Sequence, residues 1–254
     1  MAWSVGLWFA ACSPPGADTV AAPLPVPGQV DPDRAPRVLG TDRWRVPARA
    51  AGLVWRGDTL VTVVDRTLLS VDVDGVVRAE ALPEAASAVA ARGDELWIGT
   101  AGEIVRLDGP GRRVAPEPGA VLAVAIGADG TLTALGRARG NAREAAWVAQ
   151  WAADGGSTGA WTLPDCQPRG VAALRGAVAV ACGRALVWLA PGAPPQRVAW
   201  RAEAVGADPA GTTALTAGPD GVAAWPVLGT RPTREVPGWA EVVAGRADAL
   251  VGSP

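Results

Sequence analysis

From residue 37 onward the chain alternates short apolar stretches with tight polar turns. Strands are the expectation, because apolar runs of four to eight residues bounded by Gly and Asp are too short for helices. The recurring unit is an apolar stretch, a turn built on Arg-Gly-Asp or a relative of it, and a second apolar stretch. It reads GLVW-RGD-TLVTVV, AVAA-RGD-ELWIGT, AVAI-GADG-TLTAL, GVAAL-RG-AVAVAC, AVGA-DPAG-TTALTA and AEVVAG-RAD-ALVG in chain order. Turn centres fall near residues 57, 93, 129, 176, 210 and 247, a period of about 38 residues.

A second pair of stretches follows in most units, as in LLSVDVDG-VVRAEAL and ALVWLAPG-APPQRVAW. Each pair reads as two strands across a Gly-containing turn. Four strands in about 40 residues, repeated, predict an all-β fold of the β-propeller type. We label the strands A to D within each blade. Five units are complete, and the sixth has only A and B. Its missing C and D strands are expected at residues 37–40 (RVLG) and 43–46 (RWRV), so that N- and C-terminal strands close a ring of six four-stranded blades. Closure removes exposed sheet edges. Five blades with ragged ends, or a truncated seven-bladed ring, remain as alternatives. One stretch conflicts with the register. Residues 141–154 (NAREAAWVAQWAAD) carry a capping-box pattern and Trp147 and Trp151 at helical spacing. The repeat assigns residues 147–153 to strand C of blade 3, and that assignment is preferred.

The first 36 residues differ in kind. Residues 1–11 (MAWSVGLWFAA) are almost wholly apolar and precede Cys12. About ten apolar residues suit a signal h-region and are too few to span a bilayer. The sequence Phe9-Ala10-Ala11-Cys12 resembles the bacterial lipobox, which implies a lipidated Cys12. The alternative is a buried N-terminal strand. Residues 13–36 are Pro-rich and without periodicity, as in a semi-extended tether. The expected order is a signal segment (1–12), a tether (13–36) and a propeller (37–254). Ser13 after the cysteine resembles lipoproteins sorted to an outer membrane, so the expected address is the bacterial envelope, outer membrane or periplasm-facing. Cys166 and Cys182 remain. In an exported domain such a pair reads as a disulfide, and two buried thiols are the alternative. Cys166 precedes strand A of blade 4 and Cys182 ends strand B, so an antiparallel hairpin sets them side by side.

Composition narrows the chemistry. The 254 residues include 12 Trp but no His, no Tyr and no Lys, so all 23 basic groups are Arg. There is then no imidazole base or metal ligand, no Schiff-base lysine and no Walker-type loop. The net charge of −2 offers no basic excess for nucleic acid. No catalytic residue is assigned. Gly155–Gly159 fits G-x-S-x-G but lacks a base. The two Arg-Gly-Asp tripeptides lie on hairpin turns that want Gly and Asp for backbone reasons. Asp72-Val73-Asp74-Gly75 begins like a calcium loop, but Ala81 stands where its glutamate belongs.

The repeat resembles bacterial exported propellers of the WD-repeat, YncE-like and quinoprotein-like superfamilies, across residues 37–254. Residues 154–161 (DGGSTGAW) are similar to the D-x-x-T-G-x-x-W blade signature of quinoproteins, once only. A quinone cofactor is not implied.

The junctions from strand D to the next strand A carry Glu84, Glu117, Asp165, Glu203 and Glu241. In a propeller these junctions share one face with the B–C loops. The B–C loop of blade 3 adds Arg137, Arg139 and Arg143. The A–B turns opposite supply Arg56, Arg92, Arg175 and Arg246. Carboxylates at one mouth and guanidiniums at the other are therefore expected, the former attracting a cation or a basic partner segment. The first functional reading is a non-enzymatic, lipid-anchored envelope propeller. It acts as a protein-binding scaffold or assembly component, without cofactor, as a monomeric domain that meets the membrane through its anchor only. The second is a metal-dependent propeller hydrolase or lyase, with Ca²⁺ held by mouth carboxylates. The third is a small-ligand sensor in which Trp97, Trp188 or Trp225 stacks on a sugar.

Overall fold

The computed structural model describes residues 52–72, 76–117, 119–138, 145–219, 221–236, 243–245 and 250–252. No helix occurs among them. The first sheet comprises β1 (Val54–Arg56), β2 (Thr59–Val64), β3 (Thr67–Val71) and β4 (Val77–Ala81). The second holds β5 (Ala88–Arg92), β6 (Glu95–Gly99), β7 (Glu103–Arg106) and β8 (Arg112–Val114). The third is β9 (Val121–Ile126), β10 (Leu132–Arg137), β11 (Ala146–Trp151) and β12 (Ser157–Leu163). The fourth is β13 (Gly170–Leu174), β14 (Ala177–Ala181), β15 (Leu186–Leu189) and β16 (Gln196–Val198). The fifth is β17 (Ala204–Ala207), β18 (Thr213–Gly218), β19 (Gly221–Pro226) and β20 (Arg234–Val236). A two-stranded sheet follows, of β21 (Val243–Gly245) and β22 (Leu250–Gly252). Each sheet is an antiparallel meander in chain order, as the A-to-D repeat predicts. The strands proposed to complete the sixth unit lie outside the described residues.

The A strands meet in the middle. β1 lies on β5, β5 on β9, β9 on β13, β13 on β17 and β17 on β21. Their sequences are small, AVAAR in β5, GVAAL in β13 and AVGA in β17, because converging sheets leave little width there. Farther out the sheets diverge and larger side chains fill the wedge. Trp147, Trp151, Trp188 and Trp225 all lie on C strands. Gly136 faces Trp147 across β10 and β11, and a Cβ there would sit 2.2 Å from the indole. The indole takes the space a side chain at residue 136 would need.

The core is a set of layers between sheets. Val61, Val63, Leu96 and Ile98 join the first sheet to the second. Ala88, Trp97, Leu132, Trp147 and Trp151 join the second to the third. Leu135, Val148, Val178 and Val187 join the third to the fourth, and Trp188 and Trp225 join the fourth to the fifth. Strand periodicity explains this sorting. On β14, Val178 and Val180 face the third sheet, while Ala179 between them faces the fifth. Within the stretch with helical spacing, Ala146–Trp151 form strand β11, buried along its whole length, and residues 141–144 lie outside the described residues. Cys166 and Cys182 form a disulfide with Cα atoms 4.7 Å apart.

Candidate functional site

In a meander of this kind the A–B and C–D turns lie at one end of the sheets, and the B–C loops and D–A junctions at the other. The first rim is built from tight turns. Gly57, Gly93 and Gly176 hold positive φ angles of 57°, 56° and 71° at the A–B corners. Adjacent turns are linked. Arg56 Nε donates to the Asp94 carbonyl at 2.8 Å, and the Arg175 N–H donates to the Gly211 carbonyl at 2.8 Å. Arg56, Arg92 and Arg175 lie at these corners as expected, and Arg246 lies outside the described residues, but the rim is not purely cationic. The same turns bring Asp58, Asp94, Asp129 and Asp208, and the C–D turns add Asp108 and Asp154. Aspartate enters for a local reason, since its carboxylate caps turn N–H groups. Asp208 accepts from the N–H groups of Thr212 and Thr213, Asp129 from Thr131, and Asp154 from Gly156.

Two of these carboxyls are held below the ordinary range. Asp108 sits at about 2, first because the Arg106 guanidinium donates to it, against opposing desolvation, and then because the Leu96 N–H does too. For Asp129, partial burial pushes upward, but bonds from the Thr131 hydroxyl and N–H and the nearby Arg92 outweigh it. A carboxyl depressed by folding stabilises the fold above its unfolded value and loses that contribution as pH falls through its folded value. For Asp108 the window runs from 3.8 down to about 2. Asp108→Asn is expected to flatten the acid limb of a stability–pH curve across that window and to leave the slope above pH 5 unchanged, as read by urea unfolding at stepped pH.

The second rim carries the junction carboxylates and is braced at several of its described junctions. In the first sheet, the backbone of Asp65 and Arg66 bonds the amides of Ala86 and Leu82, and the Arg66 guanidinium donates to the Pro83 carbonyl. Glu84 projects exposed beside this clamp. Asp165 is exposed as well, with φ of 54°, and its carbonyl and that of Pro164 accept from Arg197. Glu203 is half-buried and pairs with Arg169 at 3.0 Å. Glu117 is half-buried, and Arg137 is exposed at the end of β10. The disulfide ties the junction before β13 to the loop after β14, and the Gly183 N–H in that loop donates to the Ala202 carbonyl. Glu241, Arg139 and Arg143, like Cys12 and the tether, lie outside the described residues.

The described junction acids do not pool. Among the described residues no three Asp, Glu, His or Cys side chains gather as a metal-binding group. Arg169, Arg184, Arg197 and Arg201 stand among the acids, so this rim is mixed in charge rather than acidic. The sequence reading missed these four, although Arg184 stands beside Cys182, Arg201 beside Glu203, and Arg169 in the junction that carries Asp165; Arg197 reaches this rim from strand β16. The sugar-stacking reading is corrected by burial. Trp97, Trp188 and Trp225 are 6%, 0% and 1% exposed, wedged between sheets, with the Trp188 and Trp225 N–H groups bonded to the Gly229 carbonyl and the Thr216 hydroxyl.

No protein-family model matches the chain, and no curated protein matches it in sequence. Solved structures do match. The crystal structure of virginiamycin B lyase from Staphylococcus aureus is 15% identical with a TM-score of 0.52, covering 71% of this chain and 68% of that one. The RRP9 WD40 repeats give 15% and 0.55, covering 82% and 68%. U3-55K gives 15% and 0.54, covering 82% and 69%. The described domain is a β-propeller. At this identity the likeness concerns the fold alone.

Proposed function

We propose that this propeller is a non-enzymatic scaffold of the bacterial envelope, held to the membrane by a lipid on Cys12 and presenting its B–C/D–A rim to a protein partner. The observation that carries the reading is the bracing of that rim. Arginine–carbonyl bonds, an ion pair and a disulfide fix loops whose tips carry exposed Glu84, Asp165, Arg184 and Arg201. Loops ordered before binding lose little entropy on docking, and a mixed-charge rim selects a partner of complementary pattern. The disulfide fits an oxidising compartment, and residues 1–12 followed by a Pro-rich tether fit export and anchoring. The limited catalytic alphabet and the scattered junction acids give the metal-dependent hydrolase or lyase reading no support among the described residues.

In cells, photo-crosslinkers at positions 84 and 165 are expected to trap one common partner, while crosslinkers at positions 58 and 154 on the opposite rim do not. Asp165→Arg is expected to abolish the product from position 84, and Glu84→Arg the product from position 165. Cys12→Ser is expected to abolish incorporation of labelled palmitate and to release the protein from the membrane fraction. Equal crosslinking from both rims would overturn the docking face, and unchanged palmitate labelling would overturn the anchor.

A further inference from the structure

The geometry points to the outer edge of the third sheet as a self-association surface, with β12 pairing antiparallel to β12 of a second copy of this chain. The last strand of each sheet leaves one row of backbone N–H and C=O groups unpaired. Such an edge invites a further strand unless charge or shortness blunts it. Among the described residues, four of the five last strands of the four-stranded sheets are blunted. β4 carries Arg78 and Glu80, β8 carries Arg112 and Arg113, β16 carries Arg197, and β20 carries Arg234 and Glu235. Three of the four are only three residues long. β12 departs on both counts. It is seven residues long, STGAWTL, without a charged side chain. Ser157, Thr158, Ala160 and Thr162 are exposed. Past a register shift at Gln150/Trp151, Gly159 to Leu163 pair regularly with β11, so the edge beyond is straight.

The sequence of this edge is complementary to itself. An antiparallel pair centred on Ala160 sets Thr158 opposite Thr162 of the other copy, a favoured cross-strand pair. It sets Gly159 opposite Trp161 of the other copy. Trp161 already folds across its own Gly159, where a Cβ would lie 2.1 Å from the ring. Across the dyad each half-exposed indole meets a second glycine and is covered, the known remedy for glycine at a sheet edge. Two sheets join into one of eight strands, and the contact is isologous and closes at two copies. A second copy therefore fits this edge without a new charge being buried, at odds with the monomer expected from sequence.

Sedimentation equilibrium on the full chain tests this. A reversible dimer is expected for the natural sequence. Ala160→Lys places like charges opposite each other at the dyad and is expected to weaken association at least about tenfold. Ala160→Glu is expected to do the same. An equimolar mixture of the two is expected to recover the dimer as a heterodimer, which a folding defect in either variant would not produce. Amides 159–163 of the natural protein are expected to gain exchange protection as concentration rises. A natural chain that stays monomeric, a dimer indifferent to Ala160→Lys, a mixture that fails to associate, or exchange at 159–163 that ignores concentration would each overturn the proposal.

Discussion

Trp188→Ala is expected to destabilise the domain by about 3–5 kcal/mol, the range for emptying a fully buried aromatic site. Trp188 is 0% exposed and packs with Leu174, Leu186 and Trp225 between the fourth and fifth sheets. Its Nε1–H also donates to the Gly229 carbonyl at 2.9 Å, so the ring ties the C–D turn of the fifth sheet to the neighbouring sheet. Truncation removes the wedge and leaves that carbonyl without its donor. For a domain of this size about 2–4 °C follows each kcal/mol, so the melting temperature is expected to fall by roughly 6–20 °C. Trp188→Phe separates the two contributions. It keeps most of the apolar volume and forfeits the hydrogen bond, so a loss of about 1–3 kcal/mol is expected from it. A loss below 1 kcal/mol for the alanine variant in urea unfolding would mean that the sheets are not held by this layer.

The repeat was legible because each turn has a local cause. Gly at a positive-φ corner and Asp capping the next amides are written into four or five residues, whatever the neighbouring blade does. The cysteine pairing was legible for a similar reason, since one hairpin fixes both positions. Residues 141–154 show where periodicity misleads. A spacing of four satisfies a helix, but four is also even, so Trp147 and Trp151 share one face of a strand and both enter the layer against the second sheet. What could not be read was anything set by the rotation of one sheet against the next. That rotation decides that Arg197 serves the Asp165 carbonyl and that Arg169 takes Glu203. It also decides that Trp97 and Trp225 are sealed rather than open. The charge pattern was misjudged for a different reason. The turn aspartates were in plain view, but as turn formers they were not counted as charges on their rim.

Removing the disulfide is the second large effect. Cys166 and Cys182 are 0% and 3% exposed, and they stand 16 positions apart in the sequence. Closing a loop of that length in the unfolded chain corresponds to about 3 kcal/mol in the chain-entropy account. Cys166→Ala with Cys182→Ala is expected to lose a comparable amount, or about 6–12 °C in melting temperature. Reductant is expected to lower the melting temperature of the natural protein toward that of the double variant and to leave the variant unmoved. A reductant effect on both would locate its action elsewhere. The loss has a local side as well. The bond joins the junction that presents Asp165 to the loop that presents Arg184, so amides at 165–169 and 183–185 are expected to exchange faster in the variant than those of β13 and β14 between them. Crosslinking from position 84 is then expected to weaken although Asp165 itself is intact, because the partner must bear the entropy of ordering a loop that the disulfide had already fixed. If the partner product survives at full yield in the double variant, the disulfide serves stability alone, and the rim is held by its arginines.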